Sequence, residues 1–126
     1  MGGLIPTLED LKPYFAKRGL ILEVSNETED LNGYFWDHRI TLNGKEYIAY
    51  QGSVSPYEAI DCWGIACDNL LNMINDQLEK QKSIERVYAS GYGNDGSLLF
   101  LTEAQFNFLE SIDIKDYWKP RKSNSK

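Results

Sequence analysis

The fold is most clearly indicated by one stretch, YFWDHRITLNGKEYIAYQG, which runs from Tyr34 to Gly52. Within it, Tyr34–Leu42 and Lys45–Gly52 are rich in aromatic and β-branched residues and lie on either side of Asn43-Gly44. Both central residues of a type I′ turn need a positive φ, which asparagine and glycine adopt most readily. The stretch therefore predicts an antiparallel β-hairpin.

Further strands are predicted before and after this hairpin. Leu20–Ser25, Ile84–Ala89 and Ser97–Leu101 are short apolar segments bounded by turn-forming residues. The polar segment Glu27–Gly33 predicts a loop instead, because it lacks the apolar alternation of a half-buried strand. Together these segments indicate an antiparallel sheet of about five strands.

A long helix is predicted between the third and fourth strands. Ser55-Pro56-Tyr57-Glu58 has the pattern of a capping box with proline at the first helical position, and the helix is expected to run to about Gln81. Apolar residues recur at helical spacing along one face: Ile60, Trp63, Cys67, Leu70, Leu71, Ile74 and Leu78. Trp63 is therefore expected to be buried against the sheet.

Shorter helices are predicted near both ends of the sequence. Thr7 is expected to cap the first and Gly19 to end it, while Thr102 and Gln105 form a second capping box. The predicted fold class is α+β: an antiparallel sheet of about five strands, with one long helix packed on one face and short N- and C-terminal helices.

The composition fits one compact domain. With 126 residues, 42% of them hydrophobic and 13% aromatic, the chain is too apolar for intrinsic disorder. No apolar run approaches the roughly 18 residues that a membrane span requires, and Met1–Leu4 does not begin a signal peptide. We expect a cytoplasmic protein in which residues 1–118 form a single domain.

Charge is distributed unevenly along the sequence. Residues 119–126 carry four basic side chains and no acid, and this segment is expected to be a disordered tail. The other 9 basic and 19 acidic residues give residues 1–118 a net charge of −10. Such a surface repels nucleic acid and anionic membranes, so neither is an expected partner. It favours a basic protein partner, although it also serves solubility.

The sequence offers no complete catalytic set. His38 is the only histidine, and its neighbour Asp37 points to the opposite face of a strand, so Asp37 cannot easily orient it. Cys62 and Cys67 are expected to be free thiols, and Cys67 lies on the apolar helix face. We therefore expect no enzyme activity, no catalytic residue, no cofactor and no metal ligand.

Acidic and aromatic residues form the predicted partner-binding surface. The first group lies on a strand, the following loop and the first arm of the hairpin: Glu23, Glu27, Glu29, Asp30, Tyr34, Phe35 and Asp37. The second group is an acidic stripe on the long helix: Glu58, Asp61 and Asp68. Acids beside rigid aromatic rings suit a basic protein surface. The hypothesis is an inhibitor or immunity-type protein that blocks a basic surface of a partner, for example the nucleic-acid-binding surface of a nuclease.

Two alternatives stay open at this point. The first is a small-molecule-binding protein or minor enzyme, with a pocket between the sheet and the long helix lined by Tyr34, Trp36, His38 and Tyr50. The second is a structural or assembly subunit. The protein is expected to be a monomer, or a homodimer joined through a sheet edge.

Overall fold

The computed structural model describes residues 4–91, 97–115 and 119–122. Over these residues the protein is α+β, with elements in this order: α1 (Leu4–Lys17), β1 (Val24–Asn32), β2 (Phe35–Leu42), β3 (Lys45–Ser53), α2 (Cys62–Lys80), β4 (Glu85–Ser90), β5 (Ser97–Thr102) and α3 (Glu103–Ser111). None of the helices formed by these residues is both long enough and apolar enough to cross a membrane.

The strands form two antiparallel sheets rather than one. β1, β2 and β3 pair in that order, and β4 pairs with β5. The chain also divides into two compact units, Met1–Leu70 and Leu71–Lys126, and the boundary between them lies inside α2. The prediction of a single five-stranded sheet is therefore wrong. Local patterns identify strands and hairpins, but they do not determine which hairpins pair with one another.

The predicted hairpin is confirmed. Leu42 pairs with Lys45, and Asn43 and Gly44 have φ values of 50° and 82°. The Asn43 side chain accepts a hydrogen bond from the Glu23 backbone N–H at 2.8 Å and donates to the Ile21 carbonyl at 2.9 Å. Asn43 therefore both forms the turn and holds in place the segment that leads into β1.

A β-bulge in β3 shapes the interior of this sheet. His38 pairs with Tyr50 but Arg39 pairs with Ile48, so Ala49 is the extra residue. The bulge allows two consecutive residues, Ala49 and Tyr50, to be buried, which regular alternation would prevent. Asn69 on α2 donates its side-chain amide to the Ala49 carbonyl at 3.0 Å, which satisfies the bulged residue's acceptor.

β1 differs from the prediction. The sequence predicted a strand over Leu20–Ser25 and a loop over Glu27–Gly33, whereas the strand covers Val24–Asn32 and only Gly33 and Tyr34 form the turn to β2. Gly33 has a φ of 64°, which suits this turn. β1 has no buried residue, so it lacks the hydrophobic alternation that would have revealed it.

The long helix begins later than predicted. Ser55 Oγ accepts from the Tyr57 backbone N–H, and the Glu58 carboxylate accepts from Ser53 Oγ, so both halves of the predicted capping box have other partners. Asp61 caps α2 instead. Its Oδ1 accepts from the Gly64 N–H at 2.9 Å, and a side chain at residue 64 would clash with this carboxylate.

The buried face of α2 also differs from the prediction in its first half. Trp63 is 49% exposed, and the prediction that it is buried is wrong. Ala66 and Cys62 instead pack against Trp36 and Tyr50 of the sheet. Because those two rings fill the space, the helix contributes small side chains there. Further along α2, four predicted positions are buried as expected: Leu70, Leu71, Ile74 and Leu78.

The two terminal helices agree with the prediction more closely in position, although α1, with 14 residues, is not the short helix that was predicted. The Thr102–Gln105 capping box at the start of α3 is confirmed. Gly19 ends α1 with a φ of 70°, and the bonds from Gly19 N to Ala16 O and from Leu20 N to Phe15 O form a Schellman motif. α1 begins at Leu4, so Thr7 lies inside the helix and does not cap it.

Residues 119–122 make defined contacts in the second unit. Arg121 exchanges two backbone hydrogen bonds with Ala89, and its guanidinium donates to the Gly91 carbonyl. The Lys122 ammonium lies 5.0 Å from the centre of the Phe106 ring. Residues 123–126 lie outside the described residues. The single domain over 1–118 and the disordered tail over 119–126 stay predictions.

Removing residues 119–126 is expected to lower the Tm by several degrees, because it removes the bonds between Arg121 and β4. Each kcal/mol lost shifts the Tm of a domain of this size by roughly 4 °C. A truncation after Lys122 is the control, since it keeps every contact named above. Differential scanning calorimetry of both forms tests this, and equal Tm values would contradict the docking of 119–122.

Trp36 and Trp63 provide a matched pair for testing the helix register. Trp36→Ala is expected to lower the free energy of unfolding by about 3–5 kcal/mol, because it removes a buried ring from its contacts with Tyr50 and Ala66. Trp63→Ala is expected to cost about 1 kcal/mol or less, since half of that side chain is in solvent. Urea unfolding followed by circular dichroism measures both, and equal losses would count against this register.

Candidate functional site

The most exposed element of the first unit is the edge strand β1. Among the described strands it pairs only with β2, and eight of its nine residues are exposed. Its side chains include Glu27, Glu29 and Asp30 and no basic group. An exposed strand edge offers hydrogen-bonding groups to a partner chain, and charged side chains on it limit which chains can approach.

Pairing with β2 distributes these acids over both faces of the sheet. Glu29 lies opposite His38, and Glu27 opposite Ile40, on the face that β2 buries. Asp30 lies opposite Asp37 on the other face. The predicted acids therefore share one edge but not one surface. Glu23, also predicted, is exposed just before β1.

Asp37 is bound within the sheet rather than available to a partner. Arg39 Nε donates to its Oδ1 at 2.9 Å, and Gln51 Nε2 donates to its Oδ2 at 3.0 Å. These bonds lower the pKa of Asp37, and the bond from Arg39 has the larger effect. Arg39 Nη1 also donates to Glu46 Oε1 at 3.2 Å. The carboxylates of Asp37 and Glu46, Asp37 more strongly, raise the pKa of Arg39. Asp37 thus contributes less free negative charge than the sequence suggested.

The second predicted acidic stripe is not a helix face. Glu58 lies before α2 and accepts from Ser53 Oγ at 3.2 Å, while Asp61 caps the helix. Only Asp68 lies within α2, where it is half-buried. The prediction failed here because it rested on a helix beginning near Ser55.

Exposed apolar side chains surround the β1–β2 turn. Leu31, Tyr34 and Phe35 are each at least half exposed, and Tyr57 is 86% exposed. The rings of Tyr34 and Tyr57 meet edge to face with centroids 6.1 Å apart, and the Val54 N–H donates to the Tyr34 carbonyl at 2.7 Å. We call Leu31, Tyr34, Phe35 and Tyr57 the apolar turn.

The other predicted pocket residues form a buried stack. Trp36 stacks on His38 with centroids 4.9 Å apart and on Tyr50 at 5.5 Å. All three are buried, so their rings occupy the space that a ligand would need. Tyr50 Oη donates to the Ser53 carbonyl at 2.6 Å and lies 3.3 Å from Cys62 Sγ. Burial, followed by the contact with Cys62, raises the pKa of Tyr50 to about 12.

The two thiols have different surroundings. Cys62 lies beside Tyr50 in this stack, and Cys67 is half-buried on α2. Burial, followed by the charges of Asp68 and Asp61, raises the pKa of Cys67. A raised pKa disfavours the thiolate, which is the reactive form.

His38 forms a cluster that sequence reasoning missed. Its Nε2 lies 2.6 Å from Glu27 Oε2 and 3.5 Å from Glu29 Oε1. Glu27 and Glu29 were not predicted as its partners, because the segment that contains them was assigned to a loop. Counting outward from a two-residue turn at Gly33 and Tyr34 would have placed Glu29 opposite His38.

This cluster has the residue types of a metal site. One ligand atom from each of Glu27, Glu29 and His38 lies within 4.8 Å of the others. The two carboxylates are partly exposed, while the imidazole is buried.

Comparisons with known proteins do not add to this geometry. No protein-family model, no curated protein and no solved structure matches the chain.

The raised pKa of Tyr50 predicts a loss of stability at alkaline pH. Tyrosine in the unfolded chain ionises near pH 10, whereas folded Tyr50 keeps its proton to about 12. The unfolded state thus binds fewer protons in this range, so stability is full below about pH 10 and falls towards about pH 12. Tyr50→Phe is expected to make this fall shallower, as measured by urea midpoints across that range.

Tyr34→Phe is the control for this experiment, because Tyr34 is exposed. It should keep the wild-type slope of stability against pH. Tyr88, whose pKa burial also raises, is present in every variant and cancels from the comparison. Identical slopes for wild type and Tyr50→Phe would contradict the assignment.

Proposed function

We propose that this protein binds a basic protein partner through β1 and the apolar turn. The observation that carries the proposal is the exposure of β1, which presents three acids and no basic side chain on a strand edge. We call Glu27, Glu29 and Asp30 the acidic edge.

Charge complementarity identifies the partner's chemistry. The acidic edge places three negative charges within four residues, where they repel one another. Arg39, which lies opposite Thr28, forms ion pairs with Asp37 and Glu46. Lysine and arginine side chains of a partner would relieve this repulsion and speed association.

The apolar turn supplies contact area that charge alone does not. Aromatic side chains bury a large area and lose little conformational entropy, and they are enriched among residues that dominate binding energy. Tyr34 is held by the contact of its ring with Tyr57 and by the bond from Val54 to its carbonyl. A partner that covers the acidic edge would therefore meet preformed rings at one end of β1.

The same charges argue against a homodimer formed edge to edge through β1. Pairing with a second copy would bring Glu27, Glu29 and Asp30 close to identical acids, which costs free energy. A basic partner avoids this cost, so we propose that the protein acts as a monomer towards it. An inhibitor or immunity-type protein that covers a basic surface, such as that of a nuclease, is the class that best fits binding by charge and aromatic contact.

No observation favours the alternative of a small-molecule-binding protein or enzyme to the same degree. Three of its four predicted pocket residues, Trp36, His38 and Tyr50, stack on one another in the core. The fourth, Tyr34, is exposed at the apolar turn. This alternative stays a prediction.

Reversing the acidic edge is expected to weaken binding without unfolding the protein. In the triple variant Glu27→Lys, Glu29→Lys, Asp30→Lys, the exposed charges of Glu29 and Asp30 contribute little to stability. Loss of the hydrogen bond between Glu27 and the buried His38 costs about 1–3 kcal/mol, so circular dichroism checks that the variant keeps the wild-type fold. Proteins that the wild-type protein retains from a lysate, and that salt releases, are identified and purified. Their association with the wild type and with the triple variant is then measured by surface plasmon resonance in buffer containing EDTA. The association rate should fall by about tenfold or more, and the salt dependence should become shallow.

A second triple reversal separates the acidic edge from net charge. Asp10→Lys, Glu79→Lys, Glu110→Lys makes the same change at exposed acids elsewhere, and both triples bring the net charge of −6 to zero. This control should keep most of the wild-type rate. If both triples slow association equally, the acidic edge has no specific role and net charge alone explains the binding.

A further inference from the structure

The cluster of Glu27, Glu29 and His38 combines a fixed imidazole with two movable carboxylates. His38 is only 1% exposed, and its ring stacks on Trp36 at an angle of 24°. The two carboxylate side chains are 40% and 52% exposed, so an ion can reach them from solvent. The β1–β2 pairing holds all three residues on one face of the sheet.

This cluster has more hydrogen-bond acceptors than donors. His38 Nε2 carries at most one proton, and that proton can serve Glu27 or Glu29 but not both well. The second carboxylate then lies close to another carboxylate without a good hydrogen bond of its own, which costs free energy. A divalent cation at Nε2 would interact with both carboxylates at once.

Among the described residues, no hydrogen bond to the other ring nitrogen, Nδ1, holds the imidazole in place. His38 Nδ1 is buried and has no hydrogen-bond partner among residues 4–91, 97–115 and 119–122. The polar partners of this buried imidazole therefore all lie on the side of the two glutamates. When Nε2 coordinates an ion, the ring proton lies on Nδ1, and this buried N–H, without an acceptor in the described part of the chain, costs free energy that the attraction of the ion to both carboxylates has to exceed.

We propose that Glu27, Glu29 and His38 bind a divalent transition-metal ion of the Zn²⁺ type. Imidazole together with carboxylate suits zinc, whereas Ca²⁺ and Mg²⁺ prefer oxygen ligands throughout. Three protein ligands leave a fourth, open position for water, as in zinc sites that are not purely structural.

The distances are compatible with such an ion. Ligand atoms at about 2.0–2.1 Å from a tetrahedral zinc lie about 3.3 Å apart. His38 Nε2 and Glu29 Oε1 are already 3.5 Å apart. Glu27 Oε2, at 2.6 Å from Nε2, has to move back slightly, which its exposed side chain permits.

The experiment uses the chain's single histidine as its probe. The full-length protein is freed of metal with EDTA, dialysed and titrated with ZnCl₂, while the imidazole ¹⁵N resonances are followed by NMR and the Kd is measured by calorimetry. The Nε2 resonance of His38 should shift and saturate at one equivalent of Zn²⁺. MgCl₂ at the same concentration should leave it in place.

Two single variants on the same strand give a matched comparison. Glu29→Gln removes a ligand and is expected to raise the Kd for Zn²⁺ by about tenfold or more. Asp30→Asn removes the same charge from the opposite face and should change the Kd by about twofold or less at physiological ionic strength. Circular dichroism checks that both variants keep the wild-type fold.

The outcomes that overturn the site are distinct from those that test partner binding. If Zn²⁺ binds without shifting the His38 resonances, the ion lies elsewhere, for instance at a cysteine, and the proposed site is wrong. Equal Kd values for Glu29→Gln and Asp30→Asn would also overturn it. Because no partner protein is present, failure here leaves the proposed function standing, and the partner measurements in EDTA do not depend on the ion.

Discussion

Main-chain pairing between β1 and β2 is the constraint that brings the candidate functional groups of the first unit together. β1 buries no side chain, so its position depends on its hydrogen bonds to β2 and on the two turns that flank β2. A shift of one residue would exchange the faces of every β1 side chain. Glu29 would then leave His38, and Asp30 or Thr28 would take its place, depending on the direction of the shift.

β2 can impose this register because its own two faces differ so strongly. One face carries Trp36, His38, Ile40 and Leu42, all buried, and the other carries the partly exposed Asp37 and Arg39. The stack of Trp36 with His38 and Tyr50 fixes the buried face against β3 and the start of α2. A rigid central strand thus supports an edge strand that contributes almost nothing to the core.

The sequence was informative where burial and turn chemistry act locally. Asn43-Gly44 identified the hairpin, and Thr102 and Gln105 identified the start of α3, because each depends on φ values or hydrogen bonds within a few residues. β1 was missed because its stability comes from β2, and nothing in its own composition records that pairing. An exposed edge strand and a polar loop have the same composition.

The errors in α2 have a related cause. Ser55 and Glu58 have the right spacing for a cap, but in the folded protein Ser55 Oγ accepts from the Tyr57 backbone N–H and the Glu58 carboxylate accepts from Ser53 Oγ. Trp63 was expected in the core because it lies on the apolar face of the predicted helix, whereas Trp36 and Tyr50 fill that space. Which of two large residues occupies a limited space depends on tertiary packing and is not visible in helical periodicity. The prediction of the candidate site contained both kinds of error. Some of its residues were predicted, but which of them lie close together was not.

The two proposals share Glu27 and Glu29, and this has a thermodynamic consequence. A divalent cation held by these carboxylates neutralises two of the three charges of the acidic edge, so it lowers the attraction for a basic partner. Linkage is reciprocal, and the partner must weaken cation binding by the same factor. Asp30 lies on the opposite face and keeps its charge in either state. The cation and the partner would therefore compete electrostatically, through two side chains whose joint position depends on the register of one strand pair.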